Sequence, residues 1–338
     1  IRLVANTTYH HLLDGFDLRC VDGLEHKGLT LQSTDAVPFS AHLTNAEYDE
    51  VTNPDSTILR PLPTSTSDIY IASYPEGAAG TGNHPKSFYM VVAGEANADV
   101  VVYRKEGGSD VLHQEFTLGP NEVFTDDSHE ANLDFTGSFV RASKPVAVYA
   151  GHGHAQVPVT GAYLRPLFES MPYVEDLGLN YVTSPYHFGD SDIGYIVRVM
   201  SVSDGTSIII QALGYNEVHD AGTFYEFDFA LGRYGTSIQC SQPCVAVQYA
   251  KAAVPGDSPG AAYMMPFMLI LTPKESYATN AVFSSPLLAD EAQTKMALSL
   301  IVDFWPVNDL TLDGSSLEGL NWGIAPSGTG AFATVNIT

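Results

Sequence analysis

The side chains best placed to do chemistry are in Gly151-His152-Gly153-His154. Two imidazoles two residues apart on a strand share one face, a spacing that suits a metal ion. His187 or Asp190 is the candidate third ligand. The plainer reading is a pair of polar residues in a Gly-rich loop at a strand end. Carboxylates cluster at Asp126-Asp127 with Glu130, at Asp190 with Asp192, and at Asp290-Glu291. Asp126-Asp127 and Asp190 with Asp192 lie near glycine or serine turns, where converging carboxylates could collect Ca²⁺. No cluster follows the twelve-residue EF-hand pattern, so a site would be weak and assembled from separate loops. His10 and His11 are adjacent and point apart on a strand. Cys240 and Cys244, in CSQPC, are spaced for a tight-loop disulfide around Pro243, or for two buried thiols. Cys20 is then odd, either free or paired elsewhere.

Catalysis needs a nucleophile with its base, paired carboxylates, or a metal with an open position. The chain has no H-E-x-x-H or phosphate-binding loop. The Asp-Gly pairs near Ser203 and Leu312 read as hairpin turns. A non-enzymatic chain without a required cofactor is expected. Contact area for partners would come from tyrosine, which is stiff and amphipathic. Tyr48, Tyr74, Tyr163, Tyr186, Tyr215 and Tyr234 fall in stretches that read as loops.

The elements that must position these groups are strands. Val100–Arg104, Pro145–Gly151, Ser207–Leu213 and Cys244–Ala250 are short β-branched and aromatic runs bounded by turn signals. No convincing helical period competes; the best candidate, from Leu287, runs into a strand near Lys295. These runs belong to a block written three times. KGLTLQSTDAVPFSAHL from Lys27, GSFVRASKPVAVYAG from Gly137 and GTSIQCSQPCVAVQYA from Gly235 open the copies. Each is followed by an L/M-x-P element and then a hairpin, beginning near Phe88, Tyr195 and Ala297. The anchors Pro61, Pro166 and Pro266 are 105 and 100 residues apart, about one small domain. The expected fold is all-β: three tandem β-sandwich-like lobes of about 100 residues, divided 1–136, 137–234 and 235–338. On this alignment Pro145–Gly151 matches Cys244–Ala250, and the segment before Lys27 reads as the tail of a preceding hairpin.

The totals exclude several classes. Hydrophobic residues make up 45% of 338, so the chain folds. The formal net charge of −24 repels phosphate backbones and anionic lipid, which argues against nucleic acid and membrane surfaces. No run of 18 apolar residues exists, so membrane insertion by a helix is not expected. Ile1 in place of an initiator methionine reads as a processed or trimmed chain. Sequons at Asn6 and Asn336 are candidate glycosylation sites.

SKPVAVYAGHGHAQVP, RPLFESMPYVEDLGLNYVTSPY and GYIVRVMSVSDGTSIIIQ, in that order, resemble the N-terminal domain family of the IgG Fc-binding protein. KGLTLQSTDAVPFSAHL and DLTLDGSSLEGLNW are similar to that family's opening and closing segments, so the resemblance spans Lys27–Thr338. The family pattern has cysteines where this chain has His152, His154 and Arg165, so its usual disulfides do not transfer. The resemblance implies a secreted, extracellular, non-catalytic module of mucus, adhesive or coat-type proteins. Its partners would be matrix or mucus proteins, glycans, further domains of a larger parent, or other copies of itself. IgG binding is not carried over to any residue. The alternative is a soluble binder of a ligand or metal through His152 and His154.

Overall fold

The computed structural model describes residues 22–33, 39–45, 55–76, 86–127, 133–161, 163–188, 191–229, 235–252, 265–281, 296–303, 309–325 and 330–337. Cys20, Asn6, His10, His11, Tyr48, Glu130, Asp190, Tyr234, Asp290 and Glu291 lie outside these residues. So does most of the segment from Leu287 that carried the helical candidate. The described residues form strands and three short 3₁₀ turns, with no α-helix. The all-β expectation holds.

The chain opens with β1 (Gly23–Glu25), β2 (His42–Asn45) and β3 (Asp55–Ile58), the last two forming a hairpin. Eight strands follow: β4 (Ile69–Tyr70), β5 (Ser87–Ala93), β6 (Ala98–Glu106), β7 (Ser109–Leu118), β8 (Val123–Asp127), β9 (Phe139–Ala142), β10 (Val146–Ala155) and β11 (Arg165–Ser170). With β1 they make two antiparallel sheets, β1-β8-β5-β10-β11 and β4-β9-β6-β7. β5 alternates buried and half-buried residues, the period-2 pattern of a strand with one face in a core. Tyr89, Val91 and Val148 of one sheet share a core with Val100, Val102 and Val140 of the other. This is a sandwich, the first of two among the described residues.

The second is built from β12 (Gly178–Val182), β13 (Tyr186–Phe188), β14 (Ser191–Ile193), β15 (Tyr195–Ser201), β16 (Thr206–Ile210), β17 (Tyr215–His219), β18 (Phe224–Phe229), β19 (Ser237–Ala250) and β20 (Met268–Ile270). Its core joins Val197, Val199 and Ala246 to Ile208, Ile210 and Ile238. Here the two sheets are one, ordered β17-β16-β19-β15-β18, because the 14-residue β19 passes from one layer to the other. Its first half pairs with β12 and β16, its second with β15 and β20.

The two sandwiches agree bond by bond. Ser143 Oγ accepts the Asp99 amide at 2.8 Å, and Ser241 Oγ accepts the Ser207 amide at 2.8 Å. The Met171 amide donates to Val148, and the Leu271 amide to Ala246. Ala93 donates to Glu122, and Ser201 to Thr223. Gly137 has a φ of +94°, and a Cβ there would overlap the Gly222 carbonyl oxygen. Gly28 makes the matching close approach to Asn121. β9 and β10 follow position 137 yet pair with β4, β5 and β6, which precede it, so the sheets cross that expected division.

The outer face of β15, β19 and β20 is buried as well. Ile196, Met200, Val245, Val247 and Met268 belong to the cluster that fills the first sandwich, so the two sandwiches share one hydrophobic body. All seven residues of β15 are buried in consequence. The C-terminal part of the chain contributes β21 (Met296–Val302), β22 (Thr311–Leu312), β23 (Ser315–Ser316), β24 (Gly323–Ile324) and β25 (Ala331–Ile337). They form the sheet β21-β25-β24 and a small β22-β23 hairpin.

Candidate functional site

His152 lies on β10 opposite Ser87 of β5 and Leu167 of β11, and is 1% exposed. Its Nδ1 accepts the backbone N–H of His154 at 3.0 Å. Its Nε2 is buried without a hydrogen-bond partner. Burial holds the imidazole neutral, with a pKa pushed down to about 4, and the nearby Glu76 and Asp134 carboxylates only partly oppose this. One ligand atom is thus occupied by the local backbone and the ring is walled off from solvent. Asp192 lies across β14 from His187 of β13 in a separate hairpin. Among the described residues no group of three or more His, Cys, Asp or Glu is arranged to hold a metal ion.

The carboxylate expected to face a Ca²⁺ loop at Asp126 is instead on strand β8. Its Oδ2 meets His113 Nε2 at 2.7 Å and accepts the Tyr89 hydroxyl at 3.2 Å. Both carboxylate partners come from the strands that enclose the first core, so Asp126 ties β5, β7 and β8 together.

Arg198, on β15, is 3% exposed, and the sequence reading passed over it. Its Nη1 donates to Asp134 Oδ2 at 2.7 Å, to the Ser73 carbonyl at 3.0 Å and to Thr136 Oγ1 at 2.9 Å. Its Nε donates to Glu226 Oε2 at 2.8 Å. The guanidinium lies 4.7 Å from the ring centres of both Tyr74 and Phe224. Tyr249 adds a hydroxyl bond to the same Ser73 carbonyl. This buried cation joins the two sandwiches, and it explains Tyr74. That residue and Tyr186 are buried, which corrects the expectation that they lie exposed in loops.

The exposed aromatic surface lies on the opposite face of β18 from the side chains that meet Arg198. β17 and β18 are opposite ends of one sheet, yet the sheet curls enough to bring their rings together. Tyr215 and Tyr225 are 4.7 Å apart between centroids, and Phe227 is 4.7 Å from Tyr225 and 5.0 Å from Tyr215. Tyr215 Oη and His219 Nε2 are 2.6 Å apart. Phe227 is the buried floor, and Tyr225 is 45% exposed. Burial raises the Tyr215 pKa above the usual phenol value, and the nearby Tyr225 and Glu217 add to this. Tyr215, expected in a loop, lies instead on strand β17; Tyr225 and His219 were missed. The signal was the alternation in Phe224-Tyr-Glu-Phe-Asp-Phe229, which puts Tyr225 and Phe227 on one face of a strand.

Three other expected positions lie on strands. Cys240 and Cys244 form a disulfide with Cα atoms 6.5 Å apart, at the bend where β19 changes layers. Asn336 lies in β25 opposite Ala297. A cleft of about 120 Å³ sits between the sandwiches beside Arg60, Asp176, Tyr181 and Ile270. Small-molecule pockets usually measure about 300–1,000 Å³. The surface patch is therefore the better candidate for recognition.

No described helix is long and apolar enough to cross a membrane. No curated protein and no solved structure matches the chain. A family model described as IgGFc binding protein matches residues 55–338, the span that holds both sandwiches except for β1, together with the Arg198 joint and the aromatic patch, and the chain belongs to that family.

Proposed function

We propose that this chain is a non-catalytic extracellular interaction module of a secreted mucus, adhesive or coat-type matrix. In this reading the Tyr215–Tyr225 patch contacts glycans or matrix proteins. Membership in a binding family supports the class of function. One observation carries the site: rings from two distant strands are gathered over Phe227 with Tyr225 open to solvent. A flat ring with a hydroxyl at its edge offers an apolar face to a sugar ring or side chain, and a hydrogen bond beside it. The side chains of reactive type are meanwhile engaged internally: His152 is buried, Asp126 is tied to His113 and Tyr89, and Arg198 is held by two carboxylates. The family is named for IgG Fc, but no residue of this chain is placed in an Fc contact.

The test is surface binding of the purified chain to a purified gel-forming mucin, to its released glycans and to IgG Fc, each with Tyr225→Ala alongside. Tyr225→Ala is expected to weaken mucin or glycan binding at least tenfold while the melting temperature stays within a few degrees. Binding that ignores this substitution would remove the patch from the account, and Fc as the only ligand bound would overturn the matrix reading.

A further inference from the structure

Strands of the same rank in the three repeats meet at one place. β3, β11 and β20 pair with β2, β10 and β19, the strands that carry or continue the runs VPFSAHL, VAVYAGH and CVAVQYA. β3 packs on β11, and β11 on β20. The Glu169 carboxylate of β11 is the shared point: it accepts the Thr57 hydroxyl of β3 at 2.6 Å and the Ile270 amide of β20. Equivalent strands that converge in this way belong to units turned about a common axis, and such a turn, repeated, forms a ring when its rotation closes.

The chain also carries two complementary edges. In the first sandwich β10 pairs along β5, and in the second β19 pairs along β15. Among the described residues β21, the third repeat's counterpart of β5 and β15, pairs with β25 alone. At the other end, Phe39–Ala41 lead into β2 without belonging to a strand, and Phe39 is 48% exposed. Among the described residues the first repeat's run has no long strand paired along it, and the third repeat's long strand has no run paired along it. An apolar strand such as MALSLIV with an open edge invites pairing, and a partner in the same chain has a large advantage in effective concentration.

We propose that Phe39–Leu43 pairs antiparallel with the open edge of β21, closing the three repeats into a ring around Glu169. The inference rests on the three-repeat reading and is independent of the aromatic patch. Matching Val37 to Val146 and Lys295 to Gly194 sets the register. Phe39 then faces Leu300, as Val148 faces Val91, and Ser40 faces Ser299, as Tyr149 faces Met90.

The test is Ser40→Cys with Ser299→Cys in a Cys20→Ser background, oxidised and mapped by non-reducing peptide analysis after size exclusion. The expected result is a 40–299 bridge in the monomer. A 40–299 bridge found only in dimers or larger species overturns the ring and makes the joint one between copies. Free thiols at both positions overturn the pairing altogether. Hydrogen–deuterium exchange of the unmodified monomer checks the same point without substitution. Slow exchange across both 39–43 and 296–302 is expected, and fast exchange in 39–43 overturns the proposal.

Discussion

The first and second sandwiches share a backbone plan and spend their side chains differently. Met90 and Arg198 occupy the same ladder position, opposite Tyr149 and Val247. Met90 looks outward, half-buried, whereas Arg198 is the buried cation of the inter-sandwich joint. Asp126 and Phe227 also correspond, opposite Tyr89 and Val197. One anchors a polar tie to His113, and the other floors an aromatic patch. The hydrogen bonds made by Ser143 and Ser241 do not differ. Two units of one backbone plan keep the bonds that shape it, and differ where a face has a different neighbour.

The largest difference should appear at Arg198. Arg198→Ala strands the Asp134 and Glu226 carboxylates and unpacks Tyr74 and Phe224, so a loss of about 3–5 kcal/mol is expected in urea unfolding. Met90→Ala, at the matching position, should cost about 1 kcal/mol. Equal losses would break the comparison.

Glu169 and its counterpart Leu269 give the next effect. Burial raises the Glu169 pKa from 4.5 to about 7, against the opposing pull of the Thr57 hydroxyl, the Ile270 amide and Arg60. The folded state therefore holds a proton that the unfolded state releases. This contribution is fully present below about pH 4.5 and is lost as pH rises through about 7, worth up to about 3 kcal/mol. Glu169→Gln should flatten that part of the stability–pH curve. A curve unchanged by the substitution would show that Glu169 is ionised at its junction.

The layer-change bend is third. Replacing Cys240 and Cys244 with serine should cost about 2 kcal/mol, the entropy of a very short closed loop. If the two bends are equivalent, Ala142→Cys with Val146→Cys should also bridge, since these residues stand where Cys240 and Cys244 do. Mass spectrometry without reduction decides both. The smallest effect is at Tyr225, where alanine should cost under about 1 kcal/mol. Its counterpart Phe124, stacked 3.9 Å from Phe116, should cost more.

The all-β class was readable because strands keep a period of two whatever their neighbours. The exact register was not. The sequence aligns Val146-Ala147-Val148 with Val245-Ala246-Val247, but the ladders place Val146 with Cys244. A one-residue shift in a strand exchanges its faces. Val148 therefore points into its own sandwich beside Val91, while Val245 and Val247 point out of theirs into the first. Arg198 was hidden for a related reason. In IVRVM an arginine reads as the solvent side of a strand, yet Ile196 and Met200 on the same face are apolar, the mark of a strand covered on both sides. Tyr74 and Tyr186 misled because tyrosine suits a core and a surface equally.

The 14-residue β19 has a mechanical consequence. A pull along it loads the ladders of both layers at once, in shear, and the Cys240–Cys244 bridge keeps the bend from lengthening. The first sandwich has a break at Ser143-Lys144 between β9 and β10, so its layers can give way one after the other. Stretched end to end in a force spectrometer, the chain should release its first sandwich at low load and hold its second until much later. That is the behaviour of a link with one extensible half and one stiff half.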